Sequence, residues 1–210
     1  MAVLCTGEEL VRPPAEPGPW QIYESGSIAL CALIQSWGAL PHRLTPARDT
    51  RGAVIEAVRG QDVDLVVTVG GASVGDYDIV KPALSELGLE LYVQTVNIRP
   101  GKPTWFGRLG DGRLVLGLPG NPASAMVCAE LFGKPLLRAM MGADPEGPRP
   151  PDAGAAGPRR QGRLTATASF DQDSSLVTVF AKADGLMRRP PDSPAADAGD
   201  MVDVLVLDRL

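Results

Sequence analysis

Hydrophobic positions along the first two thirds of the chain fall into short continuous runs separated by segments with helical spacing. Residues 1–5, MAVLC, read as a short buried strand. Residues 27–36, SIALCALIQS, have helical spacing, and Gly38 is a plausible stop. Leu40 to Leu44 reads as a weak second strand, and Thr50 to Val58 as an amphipathic helix with Val54, Ile55 and Val58 on one face. Asp64 to Val69, DLVVTV, is the clearest buried strand, ending at Gly70-Gly71. Ile79 to Leu87 looks helical, and Glu90 to Ile98 alternates as a strand does. Thr104 to Arg108 and Arg113 to Leu116 pair around the turn Gly110-Asp111-Gly112. Ala123 to Met141 is a long apolar helix ended by Gly142.

This alternation predicts an α/β fold: three layers, with a mostly parallel sheet between helices. Residues 143–162 carry prolines and glycines that no regular element accepts, and they read as a linker. Beyond them, 163–169, 176–180 and 201–207 are strand-like, which makes a small all-β unit. The expected division is an α/β domain over 1–145, a linker over 146–162 and a β domain over 163–210.

Composition narrows the function. Net charge is −5, against the basic face that nucleic acid or an anionic membrane surface demands. No apolar run is long enough to span a bilayer, and the N-terminus lacks the basic start of a signal peptide, so a cytoplasmic protein is expected. Cys5, Cys31 and Cys128 are widely spaced and read as small buried hydrophobes rather than metal ligands. A single histidine, His42, argues against a histidine-rich metal site and a Ser-His-Asp triad.

In a parallel sheet, ligands bind beyond the carboxyl ends of the strands, and three segments fall there. Thr6-Gly7-Glu8-Glu9-Leu10 follows the first strand. Gly70 to Asp78 follows DLVVTV, and its Gly70, Gly71, Ser73 and Gly75 suit either an anion-holding loop or a tight connection. Leu118-Pro119-Gly120-Asn121-Pro122-Ala123-Ser124 opens the long helix, with Asn121 as N-cap and Pro122 as first helical residue. That helix start suits a phosphate or an oxyanion, although judged alone a mere helix start is the simpler explanation. Between them, Ile98-Arg99-Pro100-Gly101-Lys102-Pro103 spaces two cations on a rigid turn, as an anion clamp requires. Carboxylates at Glu9, Asp49, Asp76 and Asp78 favour a hard cation such as Mg2+, and the basic groups favour an anion. Together they suggest a phosphate-bearing substrate handled with a divalent metal.

These motifs, in this order, resemble those of the molybdopterin molybdenumtransferases, the MoeA family that includes the E domain of gephyrin. TGEEL, GGASVGDYD, IRPGKP and LPGNPASA are each similar to a family motif, and QDSSLVTVFAKADGL with AGDMVDVLVL is similar to the family's small C-terminal β domain. The resemblance implies a molybdopterin-binding fold shared with MogA-type adenylyltransferases. It implies insertion of molybdate into adenylylated molybdopterin with Mg2+ and release of AMP, a homodimer, and a MogA-type adenylyltransferase as candidate partner. Matched residue by residue, it puts catalytic roles on Asp49, Asp78, Arg99 and Lys102 and metal or molybdate handling on Glu9 and Asp78. Substrate binding then falls to Gly70, Gly71, Ser73, Gly75, Pro119, Gly120, Asn121, Ser124 and Ser174.

Three departures stand out. Thr95 replaces a basic residue that the family often has four positions before Arg99. Ile22-Tyr23-Glu24-Ser25-Gly26 lacks the family's asparagine. Family members also begin with two further domains that contribute to the active cleft, and these are absent from this chain. The alternative reading is therefore a non-catalytic molybdopterin-binding module or an inactive truncated homologue.

Overall fold

A computed structural model describes residues 1–71, 78–147, 165–169 and 177–207. A six-stranded sheet contains β1 (Ala2–Cys5), β4 (His42–Arg43), β5 (Leu65–Val69), β6 (Glu90–Val93), β7 (Trp105–Arg108) and β8 (Leu114–Leu118). Their order is β4-β1-β5-β8-β7-β6. The four strands from β4 to β8 are parallel, and β7 and β6 continue the sheet antiparallel. The mostly parallel α/β fold expected from the alternation is the one observed.

Side-chain parity divides the core between the two faces of the sheet. Ala2, Leu4, Val66 and Val115 point to one face and pack with Val54, Ile55 and Val58 of α2 (Arg51–Val58) and Val80, Ala83 and Leu84 of α3 (Val80–Ser85). Val3, Cys5, Leu65, Val67, Val69, Leu116 and Leu118 point to the other and meet Leu30 and Ile34 of α1 (Gly26–Ser36). On that second face also lie Ala125, Met126 and Cys128 of α4 (Pro122–Cys128) and Leu137 of α5 (Lys134–Met140). Strands buried on both faces explain why β1, β5 and β8 read as continuous apolar runs.

The long helix expected over 123–141 is continuous but not uniform: a π turn at Ala129–Gly133 joins α4 to α5. Pro135 supplies the cause. It has no N–H to donate to the preceding turn, and its ring would crowd the carbonyl of Leu131, so the wider turn accommodates it.

The proline-rich stretch after β1 contains a pair too short to signal in sequence, β2 (Leu10–Val11) with β3 (Ile22–Tyr23), which run parallel. The strand expected over 90–98 stops at Val93, after a register shift between Leu91 and Val93. Beyond it, the Val96 N–H bonds to Lys102 O at 3.2 Å, within the basic turn.

In the C-terminal region β9 (Gly185–Arg188) pairs antiparallel with β10 (Asp203–Val206). The strand expected over 176–180 is corrected: Val177–Lys182 is a helix, α6. Its β-branched residues favour a strand intrinsically. Val177 and Phe180, one helical turn apart, are instead half-buried, and Phe180 packs on the α4 face of the core, so tertiary contact overrides propensity. No described helix is long and apolar enough to cross a membrane.

Candidate functional site

The carboxyl ends of β1, β5 and β8 bring their loops to one edge. Because β7 runs antiparallel to β8 with Trp105 opposite Gly117, the turn that enters β7 arrives at this edge as well. The loops touch through small residues. A Cβ on Gly120 would lie 3.2 Å from the Gly70 Cα, so these two backbones meet directly. Gly70 and Gly71 have φ of +88° and +62°, a region that side chains disfavour. A Cβ on Gly71 would also lie 2.8 Å from the Thr6 hydroxyl oxygen. That hydroxyl is buried and lacks a partner among the described residues, as do the Thr68 hydroxyl and the Trp105 indole N–H. Parity puts Thr6 and Thr68 on the face where Trp105 packs, so three unmatched polar groups span β1, β5 and β7 at this edge.

The acids expected here are arranged differently from one another. Glu9 is exposed, with its carboxylate folded back against Gly7. Asp49 is exposed and accepts the Glu8 N–H at 3.3 Å, which ties the loop after β1 to the loop after β4. Asp78 is the most engaged: Oδ1 accepts the Lys81 N–H at 3.2 Å, and Oδ2 lies 2.9 Å from Lys81 Nζ. Among the described residues no three His, Cys, Asp or Glu side chains converge as ligands for a metal ion. Mg2+ is commonly held by one or two carboxylates, with waters and substrate phosphates completing its octahedron, so a three-ligand cluster is not what it demands.

Arg99 and Lys102 are exposed, and neither forms an ion pair among the described residues. The turn that carries them is rigid. Thr104 bonds to Gly101 O through its N–H at 2.9 Å and its hydroxyl at 2.7 Å. Gly101, at φ +119°, lies so close to the Cys128 thiol that a Cβ there would come within 2.3 Å of the sulfur. Burial raises the Cys128 thiol's pKa, so this sulfur is a neutral floor for the turn rather than a nucleophile. Two exposed cations on a fixed turn suit an anion with oxygens to share between them.

In the loop after β8, Asn121 Oδ1 accepts the Ser124 N–H at 3.3 Å and the Ser124 hydroxyl at 3.4 Å. Asn121 and Ser124 are thus engaged in capping α4, while Pro119 is buried and Gly120 exposed. Ser73, Gly75, Asp76 and Ser174 lie outside the described residues.

Sequence reasoning missed Glu24. Its carboxylate is 2% exposed and accepts the Ser27 N–H and hydroxyl, each at 2.6 Å. It also pairs with Arg43 at 3.0 Å and Arg12 at 3.6 Å, and accepts the Cys5 thiol at 3.4 Å. Burial pushes its pKa up, but the hydrogen bonds from Ser27, Arg43 and Cys5 outweigh burial and hold it below the ordinary value. Burial and the neighbouring Glu24 charge raise the Cys5 thiol strongly. Lys81 was missed too, although its place three residues after Asp78 is the spacing of a helical ion pair.

A family model described as a probable molybdopterin binding domain matches residues 2–139. A second, the MoeA C-terminal region (domain IV), matches residues 154–207. The molybdopterin molybdenumtransferase of Nostoc sp. is 37% identical over 148 residues, covering 68% of this chain and 34% of that protein. Molybdopterin molybdenumtransferase 2 of Mycobacterium tuberculosis is 34% identical over 225 residues, covering 96% of this chain and 55% of that protein. The solved molybdopterin biosynthesis MoeA protein of Pyrococcus horikoshii matches with a TM-score of 0.59 and 36% identity, over 67% of this chain and 35% of that one. This chain therefore spans between 34% and 55% of the length of these two curated relatives.

Proposed function

The chain belongs to the molybdopterin-binding family in its MoeA arrangement, and on that premise we propose that it serves molybdenum cofactor biosynthesis by binding adenylylated molybdopterin and inserting molybdate, with release of AMP. The observation that carries this reading is that Arg99 and Lys102, exposed and without an ion pair among the described residues, share a rigid turn at the sheet edge that also carries the acids. The two cations would hold the phosphates or the incoming oxyanion. Asp78 would present an oriented carboxylate to the reacting end of the substrate. Glu9 would share metal or molybdate handling with Asp78, Asp49 would orient the substrate from the loop it ties to Glu8, and the Thr6 hydroxyl would donate to a ligand oxygen admitted over Gly70 and Gly71. Ser73, Gly75, Pro119, Gly120, Asn121, Ser124 and Ser174 complete the proposed substrate contacts. Mg2+ belongs to the reading through the family, with Glu9 and Asp78 as the carboxylates that would hold it; no step is routed through it.

The proposal extends to organisation: an α/β domain over 1–145, a linker over 146–162, a small β domain over 163–210, a homodimer, a MogA-type adenylyltransferase as partner, and a cytoplasmic setting. A second reading, a module that holds molybdopterin without turnover, is favoured by Thr95, which stands where the family often has a basic residue.

The deciding experiment supplies the purified chain with adenylylated molybdopterin, molybdate and Mg2+ and reads reconstitution of an apo-molybdoenzyme. Cofactor formation that is lost on Arg99→Ala supports the transferase reading. Pterin binding without turnover supports the binding module. A chain that neither binds nor converts the pterin overturns both.

A further inference from the structure

The corner around Asp78 is built from the sheet upward. At Gly117 in β8, a Cβ would lie 1.9 Å from the Trp105 indole nitrogen, so only glycine lets the ring lie flat on the sheet. Trp105 is fully buried there. Lys81 Nζ sits 5.9 Å from the centre of that ring and 2.9 Å from Asp78 Oδ2, while the backbone N–H of the same lysine meets Oδ1. Beneath it, Val80 packs into the place a side chain on Gly71 would take, which fixes the first turn of α3. From Gly117 through Trp105 and Lys81 to Asp78, each member of the stack is in contact with the next.

We propose that Lys81 is a positioning residue for Asp78; the functional part of this inference rests on the reading above, in which Asp78 faces the substrate. Each carboxylate oxygen offers two lone-pair directions. Lys81 occupies one on each oxygen, through its backbone N–H and its ammonium, and leaves one on each for the ligand. A carboxylate held at both oxygens has lost its side-chain rotation before substrate arrives, so that ordering is not required again at the reactive step. The side chains are 21% and 12% exposed, so the pair is shielded enough to keep one geometry and open enough to be reached. The Trp105 face supports the ammonium from the other side.

The test has two arms on the full chain. The first follows the Lys81 ammonium by nitrogen-detected NMR: a slowly exchanging signal that disappears in Asp78→Asn is expected, and a rapidly exchanging ammonium in the unsubstituted chain overturns the positioning role. The second measures kcat and KM for cofactor formation in Lys81→Met, Lys81→Gln, Lys81→Arg, Asp78→Asn and the Asp78→Asn/Lys81→Met double variant. The expected result is a fall in kcat of about tenfold or more in Lys81→Met, in line with the cost of a small misplacement of a reacting group. KM for the pterin stays within about twofold. Lys81→Arg recovers most of the rate, and the Lys81→Met loss vanishes in the Asp78→Asn background, because a residue acting through another has no effect once that other is removed. An undiminished kcat in both Lys81→Met and Lys81→Gln, or the same fold loss with and without Asp78, overturns the inference. A chain without turnover counts against the transferase reading alone, and the NMR arm then decides the positioning role.

Discussion

The corner around Glu24 and the corner around Asp78 lie at the same edge of one sheet, and each sets a carboxylate against cations, yet they are built for opposite ends. Glu24 is enclosed: its oxygens take the Ser27 N–H and hydroxyl, Arg43 and the Cys5 thiol, with Arg12 beside them. Those partners come from β1, the segment after β2, α1 and β4, so one side chain ties four elements together. Among the described residues Asp78 draws both of its bonds from a single neighbouring residue, Lys81. Saturation with partners from many elements marks a structural carboxylate, and partial engagement from one local partner marks a group kept ready for a ligand.

The widest separation between the two corners is in stability. Glu24→Ala is expected to cost about 3 to 5 kcal/mol, because it leaves two guanidinium groups around a vacated interior position. Chemical denaturation of the variant against the unsubstituted chain measures it, and a loss below about 1 kcal/mol would equate this carboxylate with a surface one. The same residue gives an acid dependence. The folded state holds the Glu24 pKa below its ordinary value of 4.5, so its contribution is complete above that value and is lost as pH falls through the lower folded value. Glu24→Gln removes that slope, and a variant that keeps the slope would assign it to another acid.

Asp78→Asn reverses the pattern. The amide oxygen can still cap α3 by accepting the Lys81 N–H, so a stability loss of about 1 kcal/mol is expected. Cofactor formation is expected to fall about 100-fold. The comparison breaks if melting drops as far as it does in Glu24→Ala, since Asp78 would then be a second structural carboxylate.

The contrast also explains what the sequence could reveal. β1, β5 and β8 were legible because a strand buried on both faces must be apolar at every position, Gly70, Gly71 and Gly101 because a positive φ restricts the residue type there, and Asn121 because its side chain caps a helix. The Glu24 cluster was not legible: its members are 5, 12, 24, 27 and 43, and only the folded topology brings them together. Lys81 was legible in principle, three residues after Asp78, but nothing in the spacing reveals that Trp105 lies beneath it. The Val177–Lys182 helix was misread because its helical state depends on Phe180 meeting the core, a contact that residue type does not encode.

The loop after β8 supplies the smallest effect and the finest distinction. Asn121 and Ser124 carry both a capping role and a proposed substrate contact, and the two roles separate by magnitude. The Asn121 side chain accepts the Ser124 N–H and hydroxyl at the start of α4, so Asn121→Ala should cost about 1 kcal/mol, the usual value of an N-cap. Asn121→Asp keeps an acceptor at the same place and should restore that stability. The negative charge it adds at this edge should nevertheless weaken binding of an anionic pterin, because it opposes the field that Arg99 and Lys102 provide. Measuring melting and pterin affinity on the two variants therefore tells cap from contact. If Asn121→Asp recovers stability and binds adenylylated molybdopterin as tightly as the unsubstituted chain, Asn121 is a helix cap only, and the substrate reaches the edge through the Gly70–Gly71 side and the basic turn.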